Sequence, residues 1–198
     1  MDRTHTGRAG AAALSALVAL CVWSSPVKGQ YERILGSSHD FTDSHEGQGT
    51  LGDACVACHG LNGSAANAIG PVANAGTRYE TYRSSRAPSS AAPQPKGVSL
   101  VCLGCHDGST GSDVHGNALL GTDLSDDHPI SIVYDDRQNP SLRPARELAA
   151  QGVKLFAADG VQTVECASCH NPHDGKTARA FLRRSNEKSG LCRSCHLK

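Results

Sequence analysis

Methionine is almost missing: the only one in 198 residues is Met1. Aromatics make up 4 % of the chain, with one Trp, four Tyr and three Phe. No apolar run reaches the roughly 20 residues a membrane helix needs; the longest is "AAALSALVALCVW" at 11–23. Charge of one sign is not in excess either, since 19 Lys and Arg stand against 19 Asp and Glu. Each shortage excludes something. Balanced charge argues against nucleic acid, which calls for a strongly basic face. The short apolar run excludes a transmembrane segment in the mature chain. With so few large apolar side chains, a chain of this length has little from which to build a core. Something other than side chains must fill the interior.

The first thirty residues differ from the rest. Arg3 and Arg8 precede the apolar run, and "SSPVKGQ" follows it with small residues near its end. This reads as a secretory signal peptide over 1–29. Cys21 raises the possibility of lipidation, but Leu20 before it is bulky where such signals prefer a small residue. Removing the leader's three basic residues and one acidic residue leaves 16 against 18, a slightly acidic exported chain.

Eight of the nine cysteines lie beyond the leader, and all eight fall in four copies of C-x-x-C-H: "CVACH" at 55, "CLGCH" at 102, "CASCH" at 166 and "CRSCH" at 192. Nine Cys and ten His scattered over 198 positions would not produce even one such pentapeptide by chance. The pattern is that of c-type haem attachment. Two thiols one helical turn apart can add to the two vinyl groups of one haem, and the adjacent histidine then binds the iron from the proximal side. Cys55, Cys58, Cys102, Cys105, Cys166, Cys169, Cys192 and Cys195 are therefore the expected covalent anchors. His59, His106, His170 and His196 are the expected proximal ligands. Paired all-cysteine zinc sites, redox dithiols or disulfides would each leave the fifth position of every copy unexplained. Four haem c groups would also supply the missing apolar interior.

The far-side ligand decides what such an iron can do. Methionine is excluded, because Met1 leaves with the leader. Five other histidines remain: His39, His45, His115, His128 and His173. Four irons and five candidates imply bis-histidine coordination throughout, with His39, His128 and His173 as distal ligands and His45 or His115 as the fourth. Six-coordinate iron suits electron transfer without substrate chemistry, so no enzyme activity is expected.

Along the chain, "RSSRAPSSAAPQPKG" at 83–97 reads as a flexible loop, within a single tetrahaem cytochrome c domain at 30–198. "SLRPARELAAQG" predicts a helix with Pro144 in its first turn and Gly152 at its stop. "VKLFAADGVQTVEC" predicts a β-hairpin about Asp159-Gly160. "SNEKSGLCRSCH" predicts a short helix capped by Ser185. Motif spacings of 47, 64 and 26 residues are too unequal for a tandem repeat. The last two motifs, with the histidine of "NPH", read as a paired-haem unit.

The combination of "SSHDF", "CLGCHDGS", "DLSDDHPIS", "VECASCHNPH" and "LCRSCH" resembles multihaem c-type cytochromes with doubled C-x-x-C-H motifs. It is most similar to the tetrahaem members that form extracellular filaments. The resemblance implies a small multihaem cytochrome fold, mostly loops with short α-helices and at most one β-hairpin, wrapped around a chain of four stacked haems. It implies a subunit of an extracellular cytochrome filament, exported to the periplasm or cell surface, exchanging electrons with redox protein donors and acceptors. It further implies a head-to-tail homopolymer in which a histidine near the N-terminus completes a haem of the adjacent subunit. A soluble periplasmic shuttle and a multihaem reductase with one open iron are the alternatives. One departure stands out: where the family's first motif continues with a second histidine, this chain has "CHGLNG" with Asn62. That directs attention to the first site for a borrowed ligand or an open iron.

Overall fold

A computed structural model describes residues 26–41, 55, 58–59, 76–84, 90–109, 114, 116–158 and 160–197. Most of the expected leader, His45, His115 and Asn62 lie outside the described residues. Helix α1, Pro26–Ile34, begins on a proline, whose missing N–H is no loss in a first turn. It crosses the position at which leader cleavage is expected. Helix α2, Val98–His106, carries the second motif. Helix α3, Ala145–Leu148, runs on as a 3-10 turn at Ala149–Gln151. Helices α4, Cys166–Cys169, and α5, Cys192–Cys195, are single turns that hold the thiol pairs of the third and fourth motifs. In the first motif, Cys55, Cys58 and His59 are likewise helical.

The strands exceed the expected maximum of one β-hairpin. Strands β1 (Glu80–Thr81) and β2 (Asp123–Leu124) pair in parallel, with Glu80 opposite Asp123. Strands β3 (Ile132–Val133), β4 (Phe156–Ala158) and β5 (Val161–Val164) form an antiparallel sheet in the order β3-β5-β4. The β4–β5 hairpin is the one expected around 159–160, with Ala158 opposite Val161 and Gly160 at φ 77°. Strand β3 joins it because the stretch after His128 runs extended and sets Ile132 against Val164. A two-residue strand leaves too little periodicity to be read from sequence.

Two local expectations shift. Gly152 ends the α3 segment in the left-handed region, φ 82°, as a stop glycine should, but Pro144 sits one position earlier, at the N-cap. The segment from Ser185 is not one helix: a 3-10 turn at Glu187–Ser189 has Lys188 and Ser189 at positive φ, and α5 starts afresh at Cys192. Ser185 Oγ still accepts the Glu187 N–H, at 3.2 Å. Within 83–97 the described ends are tied. Arg83 bridges Ala91, and the Gln94 amide exchanges two hydrogen bonds with the Tyr79 backbone, at 2.9 and 2.8 Å.

Among the described residues, apolar packing is divided between two small clusters. Tyr79, Leu103 and Leu124 form one, flanked by Leu100 and Ile130. Tyr134, Leu148, Val153 and Val164 form the other, flanked by Ile132, Leu142 and Leu191. Leu103 and Leu148 are the largest fully buried side chains among the described residues. No helix among those residues is long and apolar enough to cross a membrane. Because Leu148 is 1 % exposed at the centre of the second cluster, Leu148→Ala is expected to destabilise the protein by about 2–5 kcal/mol. Reversible denaturant unfolding followed at a fixed temperature checks this; a loss near zero would show that the cluster does not carry the fold.

Candidate functional site: histidine pairs around the four motifs

Short helical turns present each motif histidine, and backbone carbonyls orient two of them. The Nδ1 atom of His106 lies 2.7 Å from the carbonyl oxygen of Ala118, and that of His170 lies 2.7 Å from the carbonyl of Ala180. A carbonyl only accepts, so each Nδ1 carries the proton and each Nε2 keeps its lone pair for a metal. His128 makes the same kind of contact to its neighbour, Pro129, at 3.0 Å. Ala180 and Phe181 both adopt positive φ, 56° and 57°. For non-glycine residues this is strained, of order 1–3 kcal/mol each. It aims the Ala180 carbonyl at His170, and Phe181 stacks on His39 with ring centroids 4.4 Å apart.

Three motif histidines face a histidine from elsewhere in the chain. His59 faces His173, with centroids 5.9 Å apart and planes within 10°. His106 faces His39 at 6.1 Å and 73°. His196 faces His128 at 6.4 Å and 61°. An imidazole nitrogen binds a metal at about 2.0–2.1 Å, so two rings on opposite sides of one ion have centroids roughly 6–6.5 Å apart. In each of the three pairs the rings stand at a separation at which they could jointly hold one iron. Burial lowers the pKa of His173, with His59 adding to the effect, and burial lowers that of His39, with His106 and His170 adding. Both are thereby kept in the neutral form that ligates metal. The Nδ1 atoms of His39 and His59 are buried and have no hydrogen-bond partner.

The order of pairing is not the order of the motifs. His173, three residues beyond His170, lies opposite His59 of the first motif, the site for which the sequence directs attention to a borrowed ligand or an open iron. The "CHGLNG" motif thus has a histidine opposite it, borrowed from the third motif's loop. His170 is the motif histidine with no ring pair among the described residues, and its remaining candidates, His45 and His115, lie outside them.

The thiols place the motifs in order. No two of the eight motif cysteines are joined in a disulfide. Burial raises the Cys58 thiol, with Cys105 of the second motif adding to it. The thiols of Cys102 and Cys166 lie beside each other, which raises Cys102 and lowers Cys166. Burial, followed by Cys195 of the fourth motif, pushes Cys169 up to about 11. Each motif therefore neighbours the next in chain order. Among the described residues no group of three or more His, Cys, Asp or Glu is arranged to hold a metal ion.

Residues 159–198, which hold the third and fourth motifs, match a protein family described as the doubled CXXCH motif. The match supports a multihaem c-type cytochrome. Covalently bound c-type haem and electron transfer follow from the same motifs. No curated protein matches the chain.

His39 is placed by contacts that sequence reading did not find. Arg33 at the end of α1 donates to Asp174 Oδ2 at 2.7 Å, and Lys176 Nζ donates to the Glu32 carbonyl at 2.6 Å. A Cβ at Gly175 would come within 2.5 Å of Ser37 Cβ, so only glycine allows the turn after α1 this close. Asp174 also accepts from the Thr177 hydroxyl and from the backbone N–H groups of Lys176 and Thr177. Led by the Thr177 hydroxyl, these donors hold the Asp174 carboxyl at about 2. The stabilisation from a depressed carboxylate is complete above its unfolded value of about 3.9 and is lost as pH falls through the folded value. The thermal midpoint of Asp174→Asn should therefore lie below that of the native protein at about pH 5 and converge with it near pH 2. A gap that stays constant over that range would remove Asp174 from the latch.

Proposed function

We propose that the chain is an exported electron-transfer protein carrying four haem c groups, each iron held between two histidines, with no substrate chemistry. The observation that carries this reading is the meeting of three motif histidines with three others at 5.9–6.4 Å. When bound, each haem supplies a one-electron ferric–ferrous couple. The chain's part is to hold neutral imidazoles on both sides, closing the iron to other ligands, and to bring successive anchors together, as at Cys102 and Cys166. His59 with His173, His106 with His39, and His196 with His128 are the proposed axial sets. His170 takes its second ligand from His45 or His115.

Assembly into a head-to-tail extracellular filament is supported by the sequence resemblance. A specific observation favours the second reading, a soluble periplasmic shuttle between redox proteins: His39, the residue nearest the N-terminus among the candidates, faces His106 of its own chain, and the α1 latch holds it there. Electron microscopy of the secreted fraction separates the two, filaments supporting the first and dispersed particles the second.

Axial assignment is tested one histidine at a time. His39→Ala, His128→Ala and His173→Ala are each expected to convert one of four low-spin ferric haems to high-spin. Electron paramagnetic resonance of the oxidised protein reads this directly. Full low-spin intensity in all three variants would refute the axial sets.

A further inference from the structure

Glu165, the residue before the third motif, is 3 % exposed, and no lysine or arginine forms an ion pair with it among the described residues. A buried carboxylate without a cation is costly unless its oxygens are hydrogen-bonded. Here they are. Oε2 receives the Ser99 hydroxyl at 2.6 Å and the Ser131 hydroxyl at 2.9 Å. The Thr163 hydroxyl lies 2.8 Å from Oε1, and the Ser168 backbone N–H also donates to the side chain.

Two of these donors are polarised towards Glu165. Ser99 Oγ accepts the Cys166 backbone N–H at 3.1 Å, and Ser131 Oγ accepts the Lys96 backbone N–H at 2.9 Å. With those lone pairs engaged, both hydroxyl hydrogens point at the carboxylate. The donors come from α2, from the turn before β3, from β5 and from α4, so the cage is assembled only by the folded chain. Ser99 lies one helical turn before Cys102, and Glu165 is bonded to Cys166. Those two thiols touch each other.

We propose that Glu165 is a fixed buried anion between the second and third motifs and lowers the reduction potential of the haems anchored at Cys102 and Cys166. The proposal rests on the haem reading above. Reduction adds an electron beside an existing negative charge, which the low-dielectric interior screens poorly. Net charge and burial are among the levers by which a protein sets a haem potential. The middle of the chain of haems then differs from its ends, with its central pair the harder to reduce.

The test is spectroelectrochemical titration of the holoprotein with Glu165→Gln, and with exposed Glu187→Gln as the control for net charge. Glu165→Gln should favour reduction of at least one haem tenfold or more, about 59 mV for one electron, while keeping four covalent haems and a low-spin spectrum. Glu187→Gln should shift every haem less than twofold. If Glu165→Gln matures with four haems and unchanged potentials, the inference is overturned while the haem reading stands. If the native protein carries no covalent haem, that reading has itself failed. Should Glu165→Gln not mature, Ser131→Ala decides. It keeps the carboxylate but removes one dipole that offsets its field, so a potential must fall; unchanged or raised potentials overturn the proposal.

Discussion

Two imidazoles held on opposite sides of a gap of about 6 Å define a demanding geometry. Both rings must be neutral, both must direct Nε2 inward, and neither can move far without losing its partner. In this chain the spacing is matched three times by residues distant in sequence: His59 with His173, His106 with His39, and His196 with His128. Each pair acts as a long-range tie. Among the described residues nine hydrophobic side chains are buried, most of them in two small clusters, so such pairs stand beside long-range hydrogen bonds of similar reach, as from Arg33 to Asp174 and from Ser99 to Glu165.

The surrounding structure is organised to hold those rings. Carbonyls of Ala118 and Ala180 fix the Nδ1 protons of His106 and His170. The left-handed pair Ala180–Phe181 turns one peptide towards His170 and one ring onto His39. Arg143 fastens the last motif in a similar manner. Its guanidinium donates to the carbonyls of Ser194 and Arg193, while its own carbonyl accepts the Tyr134 hydroxyl at 2.7 Å. Main-chain hydrogen bonding thus does the positioning that a larger apolar core does elsewhere, which explains why turns and short strands predominate.

The anchors were legible in the sequence because their chemistry is local: two thiols and a histidine must fall within five residues. The β4–β5 hairpin was legible for the same reason, through Asp159-Gly160. What pairs across the chain was not. Nothing in "CHGLNG" or "CHNPH" says that His173 reaches His59 and not a nearer motif, because the choice depends on how α4 and the first motif are brought together. The Glu165 cage was hidden likewise. Its donors stand at 99, 131, 163 and 168, and a serine in a sequence does not announce where its hydroxyl points. Strand β3 escaped because two residues carry no period.

The contacts after α1 show how His39 is held independently of the residues at the start of that helix. Were the leader removed after Gly29, α1 would retain only Gln30–Ile34, too short to be helical by itself. Among the described residues, the contacts that dock it nevertheless lie beyond that point: the Glu32 carbonyl to Lys176, Arg33 to Asp174, the Arg33 carbonyl to the Gly175 N–H, and buried Ile34. The turn from Gly36 to Asp40 then closes on itself, with the Gly36 N–H donating to the Asp40 carboxylate at 2.6 Å. His39 is therefore positioned by tertiary contacts and not by the helix that precedes it. Those contacts converge on residues 174–176, directly after His173, so a single loop fixes distal candidates for two different motifs. A disturbance at that loop would be felt at both His59 and His106, coupling the first and second sites through the third motif's own segment.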